Sequence, residues 1–251
     1  SPNYLHDSHI RYALRMNAHC ICEKPLTLRP WNIDGLSSVS QSTDKKVFTI
    51  LQLRLHERVI ALKKEVEDQL KSDPTHIFDV ELTYITSRGN WYYASWKGDE
   101  EKSGGIATNI GVHFFDMLHW IFGPVQHQKV HVRSHDRASG VLSFKNANVR
   151  WFLSINAATL PETVVQNGGR IHRSLCFDQW SFDFTEGFTE LHSRSYAHIL
   201  NDEGFSERDA HAAISIVHGM RESQISPLDS EAHPLASLPQ DLHPFYPIKE
   251  S

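Results

Sequence analysis

One stretch constrains the fold more than any other: Ser103 to Phe122, SGGIATNIGVHFFDMLHWIF, which sets an amide, an imidazole and a carboxylate among regularly spaced apolar residues. Asn109, His113 and Asp116 fall at i, i+4 and i+7, so the spacing predicts a single helix carrying all three on one face. Ile106, Ile110, Phe114, Met117, Leu118 and Ile121 supply an apolar stripe to fix that helix against a core. His113 is then presented rather than buried. Gly104 and Gly105 at the start let the backbone approach a ligand closely, and helix N-termini favour anionic groups. The stretch reads as one half of an active site.

A chain of 251 residues, 40% of them apolar, buries a substantial core as one large domain or two small ones. Its formal charge of −5, with 17 histidines held neutral, provides no basic field for a nucleic-acid partner. No apolar run reaches the roughly 18 residues that span a bilayer, and the opening SPNYLHDSH lacks a signal-peptide pattern. Cys20 and Cys22 stand too close along one strand for an easy bridge, and Cys176 makes the count odd. Free thiols in a reducing, cytoplasmic setting are the reading, with no metal site. His113 and His119 are six apart and do not share a helix face well, so His113, Asp116 and His119 make a poor metal set.

In chain order, Ser1–Asn3 reads as a turn into a helix over His6–Met16, Ala18–Cys22 as a strand, Pro30–Ser40 as a helix and Lys46–Leu53 as a strand. This alternation implies parallel strands joined by a crossover helix. A dinucleotide-binding domain opens with a strand, a Gly-rich turn and an acidic residue roughly 20 positions later. No such turn precedes Ser1, so either this is another kind of domain or the chain begins partway through one. Glu57–Leu70 reads as an amphipathic helix and Phe78–Ser87 as a half-buried strand. Strands are expected near Val125–Arg133, Gly140–Phe144, Ala147–Ile155, Arg170–Phe177 and Ser181–Phe184, and helices over His192–Leu200 and Ser206–Arg221. Five prolines from Pro227 onward make an extended tail. The fold class expected is α/β plus α+β: a partial Rossmann-type parallel sheet over 1–53, a mixed, largely antiparallel sheet domain with helices on one face over 54–226, and a tail over 227–251.

Glu23-Lys24-Pro25 follows a predicted parallel strand, at the end where open α/β sheets bind ligands. A lysine there is often mere surface charge, and a lone helical histidine is often a packed residue. Together, a cation and a base from different elements suit alcohol oxidation by hydride transfer.

EKP followed some 80 residues later by GG-x-x-x-(D/N)-x-G-x-H-x-x-D, here Gly104 to Asp116, resembles the glucose–fructose oxidoreductase and inositol dehydrogenase family of NAD(P)-dependent sugar dehydrogenases. ICEKPLTLRPWNIDGL, ILQLRLH, VRWFLSIN and GFTELHSRSY are similar to the branch that oxidises the C3 hydroxyl of UDP-N-acetylglucosaminuronic acid for bacterial surface polysaccharide. The resemblance implies NAD as cofactor, a UDP-sugar as substrate and a homo-oligomer paired through the second sheet. It makes Lys24 the contact between nicotinamide and the reacting hydroxyl, His113 the base, and Asn109 an occupant of a position that is aspartate in many relatives. That exchange removes a charge that would raise the imidazole pKa. Ser1, Pro2, Asn3, His6, Glu23, Pro25 and Trp31 match positions near the cofactor. Gln52, Arg54, Arg88, Asn90, Trp91, Tyr92, Arg194, Ser195 and Tyr196 are expected in the nucleotide-sugar pocket, where a diphosphate and a carboxylate call for guanidinium and hydroxyl donors. The Gly-rich turn of the family is absent ahead of Ser1, from which weak NAD binding by this polypeptide is expected. Alternatives are a non-catalytic nucleotide-sugar binding or assembly module, and a family dehydrogenase acting on another sugar or polyol.

Overall fold

The computed structural model describes residues 1–178, 180–183 and 190–245. Two sheets organise them. The smaller pairs β1 (Cys20–Cys22) with β2 (Val47–Thr49) in parallel, Cys20 opposite Val47 and Cys22 opposite Thr49. Helix α1 (His6–Arg15) leads into β1, and α2 (Pro30–Thr43) makes the crossover that a parallel pair requires. Pro30 sits in the first turn of α2, and Asp44 ends it at φ 53°. Ile10 and Leu14 of α1 and Ile33 and Leu36 of α2 are buried in the core.

The strand expected over Lys46–Leu53 is shorter. Past Cys22 the partner strand has ended, and the chain turns at Gln52–Leu55 into a 3-10 helix that buries Gln52, Leu53 and Leu55 on successive sides. Alternating LQLRL carries the same apolar pattern in either conformation. Helix α3 (Glu57–Ser72) follows, its first turn capped by the His56 ring, which accepts from the Arg58 N–H at 3.2 Å.

The larger sheet begins with β3 (Phe78–Thr86). Four helices come next: α4 (Trp91–Ala94), α5 (Glu100–Ser103), α6 (Gly105–Asn109) and α7 (Val112–Phe122). Strands β4 (Val125–Arg133), β5 (Arg137–Phe144) and β6 (Ala147–Ser154) form a meander. The short helix α8 (Glu162–Gln166) leads to β7 (Ile171–Phe177) and β8 (Trp180–Asp183). Helices α9 (Leu191–Leu200) and α10 (His211–Glu222) complete the regular elements. The strand order is β4-β5-β6-β3-β7-β8. Only β3 and β6 run parallel, so the sheet is mixed and largely antiparallel, as the strand density implied. Phe184, the expected end of the last strand, lies outside the described residues.

The single helix expected over Ser103–Phe122 is broken. Gly104 and Gly105 adopt φ of 84° and 75°, and α6 ends at Asn109. At Gly111 a Cβ would stand 2.5 Å from both the Ala107 carbonyl and Leu153 Cδ1. Only glycine lets the α6–α7 corner press this close to β6. The break rotates the polar residues apart: Asn109 faces Asn3 and Tyr92, whereas Asp116 faces Arg54.

Residues on one face of the sheet, such as Phe78 and Tyr84, meet Phe122 and Phe114 of α7. The proline-rich tail is irregular apart from a 3-10 turn at Pro234–Ser237, yet it is docked on the opposite face. Ser226 N–H donates to the Val130 carbonyl at 2.8 Å, Lys129 Nζ reaches Asp229 and Glu231 at 2.8 and 2.7 Å, and buried His233 meets Thr83 Oγ1 at 2.9 Å. The last six residues of the expected tail, 246–251, lie outside the described residues. No helix among the described residues is long and apolar enough to cross a membrane.

Candidate active site

Lys24 leaves the end of β1 between Glu23 and Pro25. His6 secures this turn: its Nδ1 lies 2.8 Å from the Pro25 carbonyl and its Nε2 3.2 Å from the Ser1 carbonyl. Burial lowers the His6 pKa, opposed by its contacts with the two carbonyls, which favour the protonated ring. Lys24 Nζ donates to the Asn109 carbonyl at 2.8 Å, at the C-terminal end of α6. Unpaired carbonyls of that kind favour a cation. Burial, reinforced by the positive charges of Lys97 and Arg88 and opposed by Glu23, lowers the ammonium pKa to about 8.

Lys24 and His113 line the same pocket, of ≈ 170 Å³, with Ile110 and Phe114 beside His113. Breaking the helix thus leaves His113 facing the lysine. Burial, then the Lys24 charge, then His192 hold its pKa well below the usual imidazole value. The ring is therefore neutral near pH 7 and able to accept a proton. Its Nδ1 and the Gln52 Oε1 are buried with no hydrogen-bond partner.

The remaining lining groups set the charge. Arg88 enters from the end of β3, and Arg173 from β7 stands with its guanidinium 5.3 Å from the Tyr84 ring. His192 of α9 completes the rim, its Nε2 held 3.1 Å from Glu23 Oε1. Among the described residues, every ionisable group lining the pocket other than Tyr84 is basic, and no carboxylate does so.

Of the residues expected at the site, the structure gathers Lys24, Gln52, Arg88 and His113 around this pocket. Asn109 contributes its backbone carbonyl. Its side chain is consumed elsewhere, Nδ2 donating to the Tyr92 hydroxyl at 2.7 Å and Oδ1 accepting from Asn3 at 3.3 Å. Asn3 is buried and also donates to the Ser103 carbonyl, so it and His6 brace the site from within. Tyr92 is buried behind Asn109, with burial pushing its phenol up to about 12.

Arg54 does not line the pocket. It pairs with buried Asp116 through Nε at 3.0 Å and Nη2 at 2.7 Å, a fork satisfied within the protein. Ser195 is buried and donates to the Leu191 carbonyl of its own helix, and Arg194 reaches Glu57 at 3.4 Å. Asn90, Trp91 and Tyr196 are exposed and outside the lining. Ser1, Glu23 and Trp31 are exposed, Pro2 is partly so, and Pro25 is buried. Among the described residues no group of three or more His, Cys, Asp or Glu is placed to hold a metal.

Tyr84, Arg173 and His192 escaped the sequence reading. Tyr84 and Arg173 become neighbours only through the β3–β7 register, which pairs them directly. Lys97 was also missed; its ammonium lies 5.2 Å from the Trp91 ring and its charge acts on Lys24.

A family profile described as oxidoreductase family, C-terminal alpha/beta domain, matches residues 74–172. Among solved structures, the WlbA (WbpB) dehydrogenase from Thermus thermophilus in complex with NAD and alpha-ketoglutarate is 44% identical, with a TM-score of 0.87 over 94% of this chain and 75% of that one. The same dehydrogenase with NAD and UDP-GlcNAcA gives 43% identity and a TM-score of 0.88 over the same shares. The WlbA dehydrogenase from Bordetella pertussis shares the fold at 18% identity, TM-score 0.70, over 91% of this chain and 78% of that one. An uncharacterised oxidoreductase from Synechocystis is 30% identical over 131 residues, 50% of this chain; that stretch spans 34% of the relative's length. By its profile match, and by its identity over three-quarters of the Thermus chain, this protein belongs to the glucose–fructose oxidoreductase/inositol dehydrogenase (Gfo/Idh/MocA) family of oxidoreductases.

Proposed function

We propose that this chain supplies the base and the substrate pocket of an NAD-dependent dehydrogenase that oxidises the C3 hydroxyl of UDP-N-acetylglucosaminuronic acid. The observation that carries the reading is the pocket itself, where Lys24 and His113 meet beneath an otherwise cationic rim. The Thermus thermophilus complexes with NAD and UDP-GlcNAcA support it.

NAD, when bound, supplies the hydride acceptor. Lys24, Ser1, Pro2 and Trp31 would hold it; the exposed indole of Trp31, with the Arg29 guanidinium 5.6 Å from its ring, suits a flat ring and a phosphate. The neutral imidazole of His113 accepts the proton of the sugar hydroxyl. The Lys24 ammonium donates to the same oxygen and stabilises the alkoxide as it forms. An imidazole with so low a pKa is a weak base in the empty pocket. A carboxylate held by Arg88 and Arg173 offsets the surplus positive charge and raises His113 towards the working range. The substrate's own charge thereby tunes the base.

Calorimetric titration of the full-length protein with UDP-N-acetylglucosaminuronic acid and with neutral UDP-N-acetylglucosamine tests this. The uronate should bind about tenfold tighter or more, the size of one charge-assisted contact. Equal affinities contradict the proposal. Self-association through the six-stranded sheet belongs to the same reading, and a monomeric sedimentation coefficient would count against it.

A further inference from the structure

A second cavity, of ≈ 300 Å³, borders the start of α6 and shares no lining residue with the pocket around His113. Its volume falls at the small end of ligand sites. The floor is apolar, made by Ile106, Val130, Ala138, Trp151 and Met220. His135 and His243 also line it, with ring centroids 4.9 Å apart.

Two guanidiniums close the cavity, Arg133 from the end of β4 and Arg221 from α10. Arg133 uses Nη1 on the carbonyls of Met220, Arg221 and Ser223, at 2.9, 2.5 and 3.0 Å. Arg221 donates to the Leu28 carbonyl and contacts the His218 ring through Nη2. Neither has a carboxylate within ion-pair distance among the described residues, and the only acid in the lining is exposed Glu100. Two buried donors lack acceptors as well, Arg221 Nε and the indole Nε1 of Trp151.

We propose that this cavity is a second binding site, for a small aromatic carboxylate. The apolar floor and flanking imidazoles take the ring, and the positive charge of Arg133 and Arg221 on the lining attracts the carboxylate. An occupant would rest against Gly104–Ala107, at the start of the helix whose final carbonyl holds Lys24. The site's existence is independent of which sugar the first pocket takes.

Isothermal titration of the full-length protein with 1-naphthoate tests the site. Saturable micromolar binding is expected, about tenfold weaker for the neutral isostere 1-naphthalenemethanol and for Arg221→Met or Arg133→Met. Arg88→Met, in the other pocket, should leave naphthoate affinity within about twofold, less than one lost contact. The proposal is overturned by the absence of saturable binding or by equal affinity for the neutral alcohol. It is equally overturned if Arg88→Met weakens naphthoate while the two cavity variants do not. The acid-versus-alcohol comparison uses unmodified protein, so it stands even if a variant fails to fold.

Discussion

At the scale of single residues, the site is a balance between two groups pushed in the same direction. Burial lowers both the Lys24 ammonium, to about 8, and the His113 imidazole, well below its ordinary value. In the proposed mechanism the lysine works protonated and the histidine unprotonated. The profile of kcat/KM against pH, which reports the empty pocket, should therefore hold a plateau that begins below the ordinary histidine range and falls as pH rises through about 8, where Lys24 loses its proton. A rate still climbing well above that point would show that the ammonium is not needed. His113→Asn should lower kcat by about 10²- to 10⁴-fold and Lys24→Ala by about 10²- to 10³-fold, the usual losses for a general base and an oxyanion donor. Both residues were legible in the sequence because short motifs mark them. Asn3, His6 and Tyr92 were legible as members of the site but not in their roles, since burial decides whether a polar side chain faces a ligand or braces its neighbours.

At the scale of elements, the chief departure from the sequence reading is the α6–α7 corner. The apolar stripe is continuous in sequence from Ile106 to Ile121, and periodicity cannot register that Gly111 is squeezed between Ala107 and Leu153. The consequence is that Asp116 leaves the site and takes Arg54 with it. With side chains 9% and 1% exposed, that pair ties the Gln52–Leu55 turn to α7. Arg54→Met leaves the Asp116 carboxylate buried and uncompensated, and should destabilise the protein by about 3–5 kcal/mol. Chemical denaturation measures this, and a loss under about 1 kcal/mol would mean that water or another donor reaches Asp116. The longer helices and the strands of the larger sheet were readable from period and punctuation, whereas the 3-10 turn at Gln52–Leu55 and the short helices α4, α5 and α8 were not. The register that joins Tyr84 to Arg173 was not, because a pairing between distant strands leaves no local mark.

At the scale of the whole molecule, the six-stranded sheet is packed by helix α7 on one face and by the C-terminal tail on the other. Prolines announced an irregular tail but not its docking, which depends on side chains such as His233 finding Thr83 and stacking on Phe152 at 5.5 Å. Burial, with the Arg150 charge adding to it, lowers the His233 pKa from 6.5 to about 4. Glu81 Oε1 also stands 3.8 Å away. Because the folded pKa lies below the unfolded one, the docked neutral ring carries no penalty above 6.5. Stability is then lost as pH falls from 6.5 towards about 4, where the unfolded state binds a proton that the folded state refuses. His233→Gln should flatten the dependence of Tm on pH across that window, and an unchanged slope would place the titrating group elsewhere.

The decisive measurement joins these scales in one cuvette: full-length protein, NAD and UDP-N-acetylglucosaminuronic acid, followed by reduced-nicotinamide absorbance. Lys24 and His113 acting on one sugar hydroxyl predict steady growth for the unmodified protein and almost none for Lys24→Ala or His113→Asn. No growth with this uronate, or undiminished growth in either variant, would contradict it.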